Sequence, residues 1–144
     1  MSELDFNIVL NWWKVLEKNK GGRAELRRAH NLTEIAFIEV YHNLYKQMKS
    51  ADKESLATVA GVCAHVKAHE GGCLAEQMAE NLSTLRFRRL LAITDRNEMY
   101  HAMVRLVKML GGAVNILDLA ETVYWWNEYT KKRLAYDYYA KAKE

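Results

Sequence analysis

The sequence predicts an all-α fold, a single-domain helical bundle that spans residues 1–144. The chain contains no proline, which is the strongest breaker of helices. Half of its residues are hydrophobic, and they recur mostly at every third or fourth position, as on one face of a helix. Its 144 residues suit one domain with its own core, and half the chain being apolar argues against disorder. No strand-like alternation or internal repeat interrupts this pattern.

In the first half, apolar stripes and end signals define four helices. Gly21 and Gly22 are expected to end the first helix, because paired glycines favour helix termination. Asp52 is the expected N-cap of the fourth, since its carboxylate can accept a backbone N–H bond. The predicted helices cover about residues 4–18, 23–29, 33–49 and 53–70.

In the second half, capping residues mark the helix starts. Ser83 is a cap candidate, and Asp95 with Glu98 three residues later resembles a capping box. Gly111 and Gly112 are expected to end the helix that begins at Asp95. The predicted helices cover about residues 74–80, 84–94, 96–110 and a last long helix that starts at Asn115 or Asp118 and displays Lys131, Lys132 and Arg133 together.

The formal net charge of +3 conceals a clustered distribution. Residues 14–28 contain six basic and two acidic residues, and residues 86–108 contain the same numbers. Residues 29–80, between them, carry a net charge of −3. Most of the clustered basic residues are arginine, whose planar guanidinium suits phosphate oxygens.

Local ion pairs do not explain the arginines near residue 88. No Asp or Glu lies three or four residues from Arg88 or Arg89, the spacing at which helical side chains pair. Binding of phosphates by two such basic segments predicts strong salt dependence and little sequence preference. No helix-turn-helix, RNA-recognition or zinc-finger signature indicates base readout.

No set of residues forms a recognisable active site. His65, His69 and Cys73 have the spacing of zinc ligands on one helix face, but Gly71 and Gly72 should interrupt that helix. Surface histidines beside a core Cys63 are the preferred interpretation, and a metal-dependent enzyme stays an alternative. A nucleophile elbow and a phosphate-binding glycine loop are both missing from the sequence. We therefore predict no enzymatic activity, no metal and no cofactor.

Two tryptophan pairs call for a structural assignment. Adjacent helical residues point about 100° apart, so one member of each pair can be buried while the other lies on the flank. Trp13 and Trp126 are assigned to the core. Trp12 and Trp125 are left as interface candidates, with simple partial burial as the alternative.

The remaining features concern location. No apolar run approaches the length of a membrane-spanning helix, and the N-terminus lacks a signal-peptide pattern. Two cysteines do not form a disulfide framework in such a chain. The sequence predicts a cytoplasmic protein that does not contact a membrane.

The residues resemble those of the CasB family, the small subunit of type I-E CRISPR Cascade complexes. One part of the resemblance is Trp12-Trp13-x-x-Leu16 followed by the string Gly-Arg-Ala-Glu-Leu-Arg-Arg-Ala at residues 22–29. The other consists, in order, of Arg86-Phe87-Arg88-Arg89-Leu90-Leu91, Asp95, the apolar helix to Leu110, Asp118 and Trp125-Trp126. Residues 30–72 carry no motif of the family.

The resemblance implies a non-catalytic subunit that works with other Cascade subunits and their guide RNA, in two copies per complex. Such a subunit holds opened target DNA, particularly the displaced strand, and stabilises the R-loop. The best candidates for phosphate contact are Arg27, Arg28, Arg86, Arg88, Arg89 and Arg105. Second candidates are Arg23, Arg96, Lys131, Lys132 and Arg133. The main alternative is a helical protein–protein adaptor without nucleic-acid binding.

Overall fold

The structure, a computed structural model, describes residues 4–142. This part of the chain consists of ten α-helices and one pair of very short strands. The all-α prediction is confirmed; the ends of the predicted domain, residues 1–3 and 143–144, lie outside the described range. The elements are α1 Asn7–Leu16, α2 Lys20–Arg28, α3 Leu32–Ile35, α4 Glu39–Gln47, α5 Lys53–Cys63, β1 Ala68–His69, α6 Leu74–Asn81, α7 Thr84–Leu91, α8 Arg96–Met109, β2 Ala113–Val114, α9 Ile116–Tyr124 and α10 Glu128–Lys141.

Helix α5 lies at the centre of the core. Every residue from Ser55 to Cys63 is buried, and the helix packs against α2, α3, α4, α8 and α9. A helix that is apolar on all sides is one that neighbours surround, as its sequence composition implies. Burial raises the pKa of the Cys63 thiol to about 12, so this cysteine is part of the core and is not a reactive group.

The predicted N-caps are confirmed. Asp52, Ser83 and Asp95 each accept a hydrogen bond from the backbone N–H three residues later, at 2.9, 3.2 and 2.9 Å. Asn115 caps α9 by accepting from the N–H groups of Leu117 and Asp118 at 3.0 and 3.3 Å. Of the two residues that the sequence offered as the start of this helix, Asn115 is therefore the one that caps it. These caps position the helices that carry most of the candidate arginines.

The predicted helix end at Gly21 and Gly22 is wrong. Both glycines lie inside α2, because the Asn19 side chain accepts a hydrogen bond from the Gly22 N–H and so starts the helix before them. A Cβ on Gly22 would come within 2.6 Å of the Val40 side chain, so this glycine permits α2 to approach α4 closely.

Three further predicted helices differ in extent. The helix predicted over 33–49 is two helices, α3 and α4, which are separated by the extended residue Ile38. Helix α5 ends at Cys63 and does not reach residue 70. The predicted last helix is interrupted after Tyr124, and Asn127 caps a new helix by accepting from the Thr130 N–H.

The strands, which the sequence did not predict, join the segments after α5 and α8. Ala68 pairs with Ala113 and His69 with Val114 in parallel register. Gly112 has a φ of +78°, and its carbonyl accepts from the N–H groups of Lys67 and Ala68. The turn after α8 therefore fixes this helix against the end of α5.

The structure places two of the four tryptophans differently from the prediction. Trp13 lies in the core, and Trp12, an interface candidate, is only 6% exposed because its indole donates to the Val40 carbonyl at 2.9 Å. The interface prediction for Trp12 is therefore wrong. Trp125 is 45% exposed and stays a candidate. The core prediction for Trp126 is wrong, because this side chain only packs against the edge of the core, half-buried, and its indole donates to the Ile93 carbonyl at 2.9 Å.

Between residues 4 and 142, every helix is too short or too polar to cross a membrane.

Candidate nucleic-acid interface

A groove between α7 and α8 brings three of the candidate arginines together. Arg86 and Arg89 of α7 and Arg105 of α8 line this groove, the α7–α8 groove, which has a volume of about 440 Å³. All three side chains are exposed. Two helices that are separate in the sequence thus contribute positive charge to one surface depression.

The packing of α7 explains which arginines reach this groove. Phe87 and Leu90 are buried, and the Phe87 ring stacks on Tyr138 of α10 at 3.8 Å between ring centroids. With about 100° between successive residues, Arg86 and Arg89 then fall on one flank of α7, while Arg88 falls on the other. Arg88 is exposed but does not line the α7–α8 groove.

A second groove lies between α2 and α8. Arg27 and Arg28 from the end of α2 line it together with His65, His101 and Lys108, and its volume is about 420 Å³. We refer to it as the α2–α8 groove. It joins the two basic segments of the sequence in space.

Helix α8 separates the two grooves and contributes to both. Its buried side carries Met99, Met103 and Leu106, so the residues opposite face outward. Arg105 lines the α7–α8 groove, and Lys108, three residues later, lines the α2–α8 groove. The six basic residues Arg27, Arg28, Arg86, Arg89, Arg105 and Lys108 are hereafter called the basic surface.

No carboxylate lines either groove within the described chain. The ion pairs found between residues 4 and 142 are His30–Glu34, Lys132–Glu128 and Arg133–Asp118, and none of them includes a residue of the basic surface. His30 also lines the α2–α8 groove, so Glu34 lies beside that groove without lining it. Arg86, Arg89 and Arg105 make no hydrogen bond through their side chains to any described residue. Their charges are therefore available to an external anion.

One of the histidines that line the α2–α8 groove, His65, has a pKa that the neighbouring positive charges affect. Burial and then the nearby charges of Lys108, Arg27 and Arg23 lower the pKa of His65 to about 4. This imidazole is neutral at physiological pH. An anion in the groove would meet the arginines and the lysine as its charged partners.

Arg23 and Arg27 both contact the chain after α5. Arg23 donates to the carbonyls of Ala64 and Val66, and Arg27 donates through Nε to Ala64 at 3.0 Å. Burial and then the neighbouring Arg27 charge lower the pKa of Arg23. Arg23 is half-buried, whereas Arg27 is exposed and keeps its terminal nitrogens free of partners among residues 4–142.

Arg96 is held in the protein in a comparable way. Its two terminal nitrogens donate to the carbonyls of Val123 and Tyr124 at 2.8 and 2.9 Å. Burial lowers its pKa, and Asp52 acts in the opposite direction. These bonds satisfy carbonyls at the end of α9 that have no partner within the helix.

The basic residues of α10 also have partners. Lys131 donates to the Ile93 carbonyl at 3.0 Å and lies 5.2 Å from the centre of the Trp126 ring. Lys132 pairs with Glu128 at 3.3 Å, and Arg133 lies 3.7 Å from a carboxylate oxygen of Asp118. The second candidates are thus bonded within the protein, whereas most of the first candidates are not.

The possible zinc ligands do not share a helix face. His65 follows the end of α5, His69 lies in β1 and Cys73 precedes α6. The His69 Nδ1 accepts a hydrogen bond from the Ile116 N–H at 3.1 Å. Across residues 4–142, no three His, Cys, Asp or Glu side chains are placed to hold a metal ion.

Sequence reasoning missed Lys108 as a site candidate. The signal was available, because Lys108 lies one helical turn after Arg105 on the outward face of α8. Its closeness to Arg27 and Arg28, however, depends on the packing of α2 and α8. That packing leaves no pattern in the sequence.

Comparison with known proteins agrees with the resemblance seen in the residues. The family model described as CRISPR-associated protein Cse2 matches residues 22–139. No curated protein sequence matches the chain.

Two solved structures share the fold. A chain in the crystal structure of E. coli Cascade bound to a PAM-containing dsDNA target aligns with a TM-score of 0.75 and 16% identity, over 97% of each chain. CasB from Thermus thermophilus aligns with a TM-score of 0.67 and 22% identity, over 91% of this chain and 95% of that one. Since the family model covers most of the sequence, this chain belongs to the CRISPR-associated Cse2 family.

Proposed function

We propose that this protein is a non-catalytic small subunit of a Cascade-type CRISPR surveillance complex in antiviral defence. In this role it binds the backbone of nucleic acid without sequence preference, holds the displaced DNA strand and so stabilises the R-loop. Its partners are the other Cascade subunits with their guide RNA, a second copy of itself and the target DNA. We place it in the cytoplasm, as a single domain over residues 1–144.

The observation that carries this proposal is the convergence of the two basic segments around α8. The basic surface contains six cationic side chains, and no carboxylate lines its two grooves within residues 4–142. Such a surface attracts the phosphates of nucleic acid with little preference for base sequence. Exchange of a DNA duplex for an RNA–DNA duplex is nearly balanced in free energy, so contacts of this kind can favour an R-loop.

Family and fold support the proposed setting. The Cse2 family is CRISPR-associated by its description, and a chain of E. coli Cascade with bound dsDNA target has the same fold over nearly its full length. A strand-holding role requires no nucleophile, metal or cofactor. It requires cationic groups on rigid helices, which α7 and α8 supply.

Helix α10 offers a surface for protein partners. Tyr129, Tyr136 and Tyr139 are exposed by 76, 79 and 50%, and lie along one side of the helix. Tyrosine is enriched at protein interfaces. We assign this side to contacts with neighbouring subunits, and it is the observation that favours the adaptor alternative.

A charge-matched pair of variants tests the proposal. The triple variant Arg86→Gln, Arg89→Gln, Arg105→Gln removes three charges from the basic surface, and Lys46→Gln, Lys49→Gln, Lys141→Gln removes three exposed charges elsewhere. Loss of three phosphate contacts should reduce the slope of log affinity against log salt for single-stranded DNA by about 2. The lysine variant should keep the wild-type slope.

The measurement is fluorescence anisotropy of labelled DNA over a salt titration. It is repeated for target DNA with the reconstituted complex, into which both variants should assemble. Equal affinities and equal slopes for the two variants would contradict the proposal. Failure of the wild-type protein to retain DNA in a length-dependent way would support the adaptor.

A further inference from the structure

The α7–α8 groove has an apolar floor below its arginines. Leu90 and Leu106 lie at its base with exposed fractions of 7 and 4%, and Met109 is 42% exposed at its side. Ala102 of α8 lines it as well and is half-buried, so Ala102 and Met109 supply apolar surface that a ligand can reach above the two leucines. A groove that bound phosphate alone would need cationic groups but no exposed apolar surface.

The two ends of the groove are fixed by α10. Leu82 and Ile93, which flank α7, both line the groove. The Tyr138 hydroxyl donates to the Leu82 carbonyl at 2.6 Å, and Lys131 donates to the Ile93 carbonyl at 3.0 Å. The groove is therefore formed before any ligand arrives, as binding sites commonly are.

A nucleotide with an unstacked base matches this combination of groups. Its phosphate is anionic, and its base presents a flat, largely apolar face that a side chain or guanidinium can cover. In a duplex the same faces are stacked on neighbouring bases, so a base would first have to be unpaired and flipped out of the stack. A protein ligand would need an acidic side chain beside an apolar one.

We propose that the α7–α8 groove binds one unpaired base of a single strand, with Arg86, Arg89 and Arg105 on the flanking phosphates and the apolar floor against the base. This inference rests on the proposed function and specifies its ligand as single-stranded nucleic acid. Charge complementarity selects this occupant, because the groove carries three cations and no described carboxylate.

Oligonucleotides without bases test the inference. The probes are a thymidine oligonucleotide and one of equal length in which stable abasic analogues replace the nucleosides, so both carry the same phosphates. The wild-type protein should bind the abasic strand roughly fivefold to tenfold more weakly, because it loses the contact of a base with the floor. Equal affinity of the wild-type protein for both strands would overturn the inference.

Groove variants connect this difference to the floor. Ala102→Phe fills the groove, and Met109→Gln makes its side polar at a position that is 42% exposed. Both should bind the two strands almost equally, while Ala140→Phe, at an exposed position of α10, should discriminate as the wild type does. Discrimination that persists in both groove variants would place the base elsewhere and overturn the inference.

The same experiment separates this inference from the proposed function. If the arginine triple variant loses affinity for both strands while the wild type does not distinguish them, backbone binding stands and base insertion fails. If the wild type binds neither strand but binds a peptide of alternating Glu and Leu, the groove has a protein ligand and both proposals fail.

Discussion

The arginine side chains of this protein serve two different purposes. Arg96 and Arg23 donate to backbone carbonyls at helix ends, whereas Arg86, Arg89 and Arg105 have no bonded partner in the described structure. A sequence shows only that each residue is arginine. Whether an arginine side chain is bonded within the protein depends on carbonyls that lie 27 to 43 residues away in the chain.

Substitution of Arg96 by methionine should destabilise the protein without weakening DNA binding. Met fills the space of the aliphatic stem, but the Val123 and Tyr124 carbonyls lose their partners. Hydrogen bonds to charged groups contribute about 1.5 to 3 kcal/mol each, but the substitution also removes the cost of desolvating a half-buried charge. The free energy of unfolding should therefore fall by roughly 2 to 3 kcal/mol, less than the sum of the two bonds. Urea denaturation measures it, with Arg86→Met as the control that should remain near the wild-type value.

An opposite result for Arg96 would be informative. Unchanged unfolding with a weaker affinity for single-stranded DNA would mean that Arg96 leaves its carbonyl partners to bind phosphate. It would then belong with the basic surface.

Single residues also explain where sequence reasoning succeeded and failed. Asp52, Ser83 and Asp95 act as caps through bonds to residues three positions away, so the signal is local and was predictable. Trp12 is buried by a bond to Val40, 28 residues away. The sequence wrongly predicts a helix end at Gly22, because the contact of Gly22 with Val40 is equally non-local.

Among the helices, α5 shows how closely the elements pack. Gly61 lies in its middle, and a Cβ there would come within 2.5 Å of the Ile35 side chain and 2.7 Å of the Tyr100 ring. The Tyr100 hydroxyl donates to the Ala29 carbonyl at 3.0 Å, so this ring cannot move away freely. The glycine therefore sets the distance at which α3 and α8 pack on α5.

Gly61→Ala should lower the free energy of unfolding by about 1 to 2 kcal/mol. Alanine gains about 1 kcal/mol in helix propensity, but overpacking of a core costs about 1 to 3 kcal/mol, and the fixed tyrosine places this site at the upper end. Gly21→Ala is the matched control, because Gly21 also lies in a helix and a Cβ there meets no atom closer than 4.0 Å. A higher melting temperature for Gly61→Ala than for the wild-type protein would contradict this prediction. It would show that the Tyr100 ring moves to make room for the methyl group.

Helix boundaries, like single residues, were predictable from the sequence where their signal is local and were missed where it is not. Starts that follow a capping side chain agreed with the structure, as at α5, α7, α8 and α9. The interruption at Trp125 was missed although Asn127 and Thr130 form a cap, because continuous apolar spacing concealed it. The strands are two residues long and pair 45 positions apart, so they leave no periodic signal.

For the whole molecule, the basic surface implies a cost in stability. Three arginines line the α7–α8 groove without a described carboxylate, so their charges repel one another. Binding sites commonly retain such strain, and removal of it stabilises the protein.

The variant Arg86→Gln, Arg89→Gln, Arg105→Gln should therefore melt at a higher temperature than the wild-type protein at low ionic strength. Salt screens repulsion between exposed charges, so the difference should disappear near 1 M salt. Differential scanning calorimetry at two salt concentrations measures it. A lower melting temperature at low salt would indicate that these side chains stabilise the fold through contacts.

The position of α8 between the two grooves means that the basic surface belongs to no fragment of the chain. A synthetic peptide of α7 would carry Arg86 and Arg89 but lack Arg105, and one of α2 would lack Lys108. Contacts between segments so distant in sequence form late, after the cost of closing the intervening loops has been met. A nascent or partly unfolded chain therefore presents scattered cations, and the nucleic-acid ligand that we propose would meet both grooves together only once folding is complete.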